Sequence, residues 1–321
     1  MRLIKRPRKS PALQAPAFGC LKGVPSINIT RGCLHACVYC YARSFPEAPP
    51  KGEVHLYDNL PELLPRELAR KRKLPRWVAF STASDAFQDI DEVLEVTYKV
   101  MKLLLERGIG VSILTKGEIP AEFLHLFSRY PNLVTVRLGL TTMDNPLRRL
   151  FEPHAPPPGR RLAAIRNLVE AGVKVSVRLD PVIAGATDGE EGLENLFIRL
   201  KASGIRDISL SYLVMRPAII KQFIAELPPS IYRQLLSPYR GQPWQQVITS
   251  ARTRLLPRNW RQRHISRVKK LAESLSLQVR LCGCKNPDLE WESCNPWGKG
   301  NQPEKEQAER SLFSLGGMGV V

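Results

Sequence analysis

Between Trp77 and Tyr212 short apolar runs alternate with amphipathic stretches, and this alternation restricts the fold more than any other feature of the chain. Strands are predicted at 77–81, 111–115, 134–139, 174–179 and 207–212, and helices at 94–107, 120–128, 160–171 and 193–203. A further apolar stretch, Ser26-Ile27-Asn28-Ile29-Thr30, stands ahead of them and makes six β/α units. Repeated β/α units need crossover helices, so the strands run parallel and function gathers at their C-terminal ends. Periodicity alone does not choose between an open sheet and a barrel.

The first strand runs into Gly32-Cys33-Leu34-His35-Ala36-Cys37-Val38-Tyr39-Cys40. Three thiolates at Cys-x3-Cys-x2-Cys spacing can hold three corners of a cubane iron–sulfur cluster, whereas a fully protein-ligated cluster takes four. The missing ligand leaves one iron open to a cofactor or substrate. The competing reading is a zinc site that borrows His35 or His55. A second group, Cys282, Cys284 and Cys294, lies near the C-terminus, and Cys20 is the remaining cysteine. Four thiolates suit a closed site, either a second iron–sulfur cluster or structural zinc.

Several strand ends carry small polar groups: Thr82-Ala83-Ser84-Asp85-Ala86-Phe87-Gln88, Thr115-Lys116-Gly117, Gly139-Leu140-Thr141-Thr142, Phe151-Glu152-Pro153 and Arg178-Leu179-Asp180-Pro181. Together with the cysteine loop, and in this order, they resemble the radical S-adenosylmethionine (SAM) enzymes of the spore photoproduct lyase branch, over roughly residues 26–215. The resemblance implies a partial (β/α)6 barrel, preceded by a basic Pro-rich lead-in at 1–25. A C-terminal extension at 216–321 would carry the second cysteine site. It also implies a [4Fe–4S] cluster on Cys33, Cys37 and Cys40, with SAM on the open iron and an external electron donor. By the same resemblance, Tyr39 would meet the adenine, Ser84 and Asp85 the SAM amino group, and Lys116, Thr141 or Thr142 the ribose or carboxylate. Arg178 would hold a carboxylate. Spore photoproduct lyases place a cysteine just before the Ser-Asp pair as a hydrogen-atom donor. Thr82-Ala83-Ser84-Asp85 has no thiol, which leaves Tyr39 and Tyr41 as candidate relays and points to a different substrate.

A net charge of +18 attracts polyanions, nucleic acid first among them. The segment 251–270 holds eight Lys or Arg and no acid, interleaved with Trp260 and His264. Its cations suit phosphates, and its tryptophan suits an unpaired base. No apolar run is long enough to span a membrane, and the basic N-terminus lacks the apolar core of a secretory signal. With cysteines that read as metal ligands, this suggests a cytoplasmic enzyme. The resulting expectation is a radical SAM lyase or modifying enzyme for nucleic-acid repair or modification. A peptide, protein or small-molecule substrate is the alternative, and a non-catalytic iron–sulfur nucleic-acid binder is a third reading.

Overall fold

A computed structural model of the chain describes residues 1–15, 21–247 and 251–290. Seven strands form its main sheet: β1 (Ser26–Ile27), β2 (Trp77–Phe80), β3 (Gly110–Thr115), β4 (Val134–Gly139), β5 (Lys174–Val182), β6 (Asp207–Tyr212) and β7 (Gln278–Leu281). Their spatial order equals their order in the chain, and every neighbouring pair is parallel. Among the described residues β1 and β7 do not pair with each other, so the sheet is open. Parallel strands are covered on both faces, which explains why all six residues of β4 are buried.

Nine helices accompany the strands among the described residues: α1 (Leu60–Ala69), α2 (Asp91–Glu106), α3 (Ala121–Ser128), α4 (Asn145–Phe151), α5 (Pro158–Glu170), α6 (Glu190–Ala202), α7 (Pro217–Glu226), α8 (Pro229–Leu236) and α9 (Arg258–Ser274). In α2 the buried side chains Val93, Val96, Thr97, Val100, Met101 and Leu104 recur every three or four residues and form one apolar face. Gly172 ends the turn after α5 with φ of +74°, a conformation in which a β-carbon is strained.

Three features depart from the sequence reading. The sheet has seven strands rather than six: β7 pairs with β6 in parallel, with Val279 opposite Ile208, and α9 packs on it. A short strand at 277–281 is legible in the sequence, but its place in the main sheet is not, because it lies beyond the β/α repeats. The basic lead-in is also partly structured. Arg2–Lys5 pairs with Glu53–Leu56, which in turn pairs with Thr30–Arg31, while Glu67 accepts the Ala12 amide at 2.7 Å. Finally, α1 and α4 lie outside the predicted helices; Pro65 inside α1 weakens its helical signature, whereas Pro61 and Pro146 stand in the first turns, where proline is tolerated.

The basic segment becomes α9, and the structure corrects its reading at two residues. Arg261 is buried, pairing with Asp288 at 2.6 Å and donating to Asn286 at 2.9 Å. Trp260 packs edge-on against Tyr212 at 5.1 Å and stacks on His264 at 3.7 Å. Both side chains are used by the fold, so neither is offered to a phosphate or a base. Arg258, Arg263, Arg267 and Lys270 remain exposed. No helix among the described residues is long and apolar enough to cross a membrane.

Candidate active site at the strand ends

The cysteine loop leaves the sheet through Gly32. Its φ is +78°, and an added β-carbon would stand 2.7 Å from the Glu53 carbonyl oxygen and from Pro49 Cγ. Only glycine accepts both the conformation and the approach. Two tight turns follow. The Ala36 amide donates to the Cys33 carbonyl at 3.3 Å, with Ala36 itself at φ +49°, and the Cys40 amide donates to the Cys37 carbonyl at 3.1 Å. Cys37 is buried, while Cys33 and Cys40 are half-buried. Burial pushes the Cys33 thiol well above its usual range, with Asp85, Cys37 and Cys40 adding to the effect, and pushes Cys37 up to about 12. Bare thiolates at Cys33 and Cys37 are therefore disfavoured here, and a metal group that takes them as ligands would offset that cost.

Among the described residues no three His, Cys, Asp or Glu side chains converge on a point that one metal ion could occupy. Each of the proposed zinc partners has one ring nitrogen against a carboxylate. His35 Nε2 donates to Asp85 Oδ2 at 3.1 Å, and His55 Nε2 lies 3.2 Å from Glu53 Oε2.

The loop is clamped by the segment after β2. Ser81, at φ +66°, turns the chain sharply at the strand end. Asp85 then accepts four hydrogen bonds. His35 and the Lys116 amide, the latter at 2.8 Å, share Oδ2; Thr115 at 2.7 Å and the Phe87 amide at 2.9 Å share Oδ1. Gln88 is fully buried, accepts the Leu34 amide at 2.6 Å and donates to Thr30 at 2.8 Å. Asn28 holds Thr82 and the Ala83 amide, each at 2.9 Å. Asp85 is therefore a brace between the cysteine loop and the ends of β2 and β3, with both carboxylate oxygens already doubly bonded.

Burial by itself raises the Asp85 carboxyl, but His35 and the two amides outweigh it and hold the pKa at about 2. A carboxylate depressed below its unfolded value stabilises the fold above that value and loses the contribution as pH falls. We expect about 2 kcal/mol of stability to disappear between about pH 4 and pH 2. Asp85→Asn should lack this step. Urea unfolding followed across that range checks it, and identical pH profiles for the two proteins would refute the brace.

Of the predicted SAM contacts, Ser84 keeps a buried Oγ with no hydrogen-bond partner. Lys116 Nζ lies 5.6 Å from the centre of the Tyr39 ring. Burial alone would lower the Lys116 ammonium, yet Glu152 and Cys37 overcome it and hold it raised. Thr141 is buried, and Thr142 Oγ1 accepts the Asp144 amide at 3.0 Å. Arg178 does hold a carboxylate, but it belongs to Asp180, which also pairs with Lys285 at 2.5 Å. The Tyr39 hydroxyl donates to Glu152, and Glu152 pairs with the fully buried Arg161 at 2.5 Å. The Tyr41 hydroxyl donates to the Thr82 carbonyl at 2.6 Å, with Arg216 lying 4.9 Å from its ring centre.

Sequence reasoning gave no role to Gln88, Glu152, Arg161, Arg216 or Lys285. Gln88 and Glu152 stand inside the strand-end groups already quoted, so their position was visible and their partners were not. Of the second cysteine group, Cys282 and Cys284 follow directly on β7, the former buried and its amide bonded to the Leu210 carbonyl at 2.9 Å. They lie at the C-terminal end of a strand of the same parallel sheet, and Lys285 ties them to Asp180 at the end of β5. Cys20 and Cys294 lie outside the described residues.

The radical SAM superfamily model matches residues 27–197, more than half of the chain. The chain belongs to the radical SAM superfamily. It is 29% identical over 241 residues to an uncharacterized protein of Mycobacterium tuberculosis, covering 72% of this chain and 71% of that one. It is 26% identical over 248 residues to an uncharacterized protein of Acidianus two-tailed virus, covering 68% and 82%. Among solved structures, a spore photoproduct lyase variant superposes with a TM-score of 0.68 at 17% identity, covering 86% of this chain and 81% of that one. Another variant of that lyase, with bound AdoMet and dinucleoside spore photoproduct, gives a TM-score of 0.65 at 17% identity, with the same coverage. At such identity the likeness is one of fold. Membership makes the chain a radical SAM enzyme, with a [4Fe–4S] cluster and SAM as the implied cofactors.

Proposed function

We propose that this radical SAM enzyme cleaves SAM reductively at a cluster held by Cys33, Cys37 and Cys40, and acts on nucleic acid as a repair or modifying enzyme. The observation that carries the first half is the three-cysteine loop, clamped by Asp85 and Gln88 over the strand ends. When bound, cluster and SAM would supply a 5′-deoxyadenosyl radical. The chain's own contribution is placement. Tyr39 and Lys116 form one wall, tied through Glu152 to Arg161. The unpartnered Ser84 hydroxyl suits the SAM amino group. Asp85 acts on SAM only through the loop that it braces. Arg178, neutralised by Asp180, would shape the wall, and Thr141 and Thr142 complete the rim. Tyr39 and Tyr41 are proposed as hydrogen-atom relays, each with its O–H direction fixed by its acceptor.

Support for nucleic acid comes from the +18 charge and from the fold shared with a lyase whose structures contain a dinucleoside photoproduct. The absence of a thiol in Thr82-Ala83-Ser84-Asp85 favours a substrate other than that photoproduct. A second iron–sulfur cluster, or zinc, on Cys282, Cys284, Cys294 and Cys20 belongs to the same proposal, as does an external electron donor. Anaerobically reconstituted protein with dithionite should yield 5′-deoxyadenosine. Its affinity for single-stranded oligonucleotides should fall steeply with salt. Cleavage without any oligonucleotide binding would move the substrate to a peptide, protein or small molecule.

A further inference from the structure

Gln222 Nε2, on α7, donates to the Cys40 carbonyl at 3.3 Å. Ile220 stands about 200° around the same helix and lines a cavity on its other side. The cavity measures about 200 Å³, and Met215, Tyr232, Arg233, Tyr239, Arg240 and Arg254 are among its walls. Three arginines line it, and no Asp or Glu does. Arg233 and Arg240 are exposed and form no ion pair with any described residue. Arg254 lies 4.4 Å from the centre of the Trp244 ring, and its Nε is buried without a hydrogen-bond partner. Tyr239 is buried, its hydroxyl bonded to the Leu213 carbonyl at 2.7 Å, and forms a rigid part of the wall.

Three like charges facing one cavity repel one another, and a buried donor without a partner is costly. The repulsion is relieved by an oxyanion with several acceptors, and guanidinium suits phosphate because it offers paired donors. We propose that this cavity is a phosphate-binding subsite for the backbone of a nucleic acid. The inference rests on the nucleic-acid reading above. A polymer is favoured over a free anion by a basic path: Met215 lines the cavity, and the adjacent Arg216 lies over Tyr41 at the cysteine loop. A strand crossing Arg216 would place one phosphate in the cavity while an unpaired nucleotide reaches the rim.

The test is anisotropy of a fluorescein-labelled single-stranded oligodeoxynucleotide against the full chain at several salt concentrations. Arg233→Ala/Arg240→Ala should bind at least about tenfold more weakly, as expected for lost charge-assisted bonds. Its slope of log affinity against log salt should be shallower by about 0.7, the share of the one phosphate held in the cavity. Arg233→Lys/Arg240→Lys keeps the charge but loses the paired donors, and should also bind more weakly. Circular dichroism melts identify any variant that fails to fold, and Arg233→Gln alone then replaces it. Wild-type binding with unchanged affinity and slope in both double variants overturns the subsite and leaves the broader reading intact. Lysine variants that bind as the wild type does reduce the cavity to part of a diffuse field, which also overturns it. Tyrosine fluorescence that responds to inorganic phosphate but not to oligonucleotide would mark a free-anion site instead. A wild-type chain that binds no oligonucleotide overturns both this inference and the nucleic-acid reading.

Discussion

Replacing Cys33, Cys37 or Cys40 with alanine is expected to abolish formation of 5′-deoxyadenosine from SAM while leaving the far-ultraviolet circular dichroism unchanged. The loss should exceed about 100-fold, the upper range for removing even a residue that only supports a metal ligand. The fold should survive because the loop is held by other groups. Its backbone is fixed by Gly32 and by the turns at Ala36 and Cys40, and it is tied down by Asp85 through His35 and by Gln88 through Leu34. None of those ties uses a thiol. Product analysis after anaerobic reconstitution, with an iron count, checks the expectation. A single variant that cleaves SAM as fast as the parent would sink the cluster assignment.

The largest stability effect is expected at the Glu152–Arg161 pair. Arg161 is fully buried, and Glu152 is its ionic partner at 2.5 Å; the Gly139 and Pro156 carbonyls, each at 2.9 Å, accept from its Nη1 and Nε. Burial alone would raise the Glu152 carboxyl, but Arg161 and Lys116 hold it lowered. Glu152→Ala leaves a guanidinium in the core without its counter-charge and removes the acceptor of the Tyr39 hydroxyl. A loss of about 3–5 kcal/mol is expected, a large share of a typical domain's stability. Glu152→Leu/Arg161→Met should lose less than the single variant, because it leaves no uncompensated charge. Urea unfolding of the two variants beside the parent decides this. A Glu152→Ala protein as stable as the parent would show that Arg161 finds water or another partner.

The two effects differ in how far the sequence announced them. The cysteine spacing is local, since three residues within one short loop remain neighbours in any fold. Glu152 and Arg161 are near in the chain, but what buries them is not: the Tyr39 hydroxyl that closes on Glu152 stands 113 positions away. Arg261 shows the same limit from the other side. In a run of eight cations without an acid it reads as a phosphate contact, yet Asp288 meets it from beyond the end of α9. Asp85 was legible as part of the site but not as a brace. Its four partners come from the cysteine loop, from its own segment and from the end of β3.

By itself the sequence determined the parallel β/α order, the cysteine loop at the end of the first strand and the strand ends that carry the site. These follow from local periodicity and short spacing, which survive without knowledge of tertiary contacts. Only the tertiary structure decided that β7 joins the sheet and brings Cys282 and Cys284 to the C-terminal end of a strand beside β6. It alone decided which charges are paired inside the fold: Arg161, Arg178 and Arg261 have carboxylate partners, while Arg233 and Arg240 line a cavity with no carboxylate among its described walls. The physical reason is that tertiary packing sets burial and ion-pair geometry, whether the partners are near in the chain, as Arg178 and Asp180 are, or far apart, as Arg261 and Asp288 are.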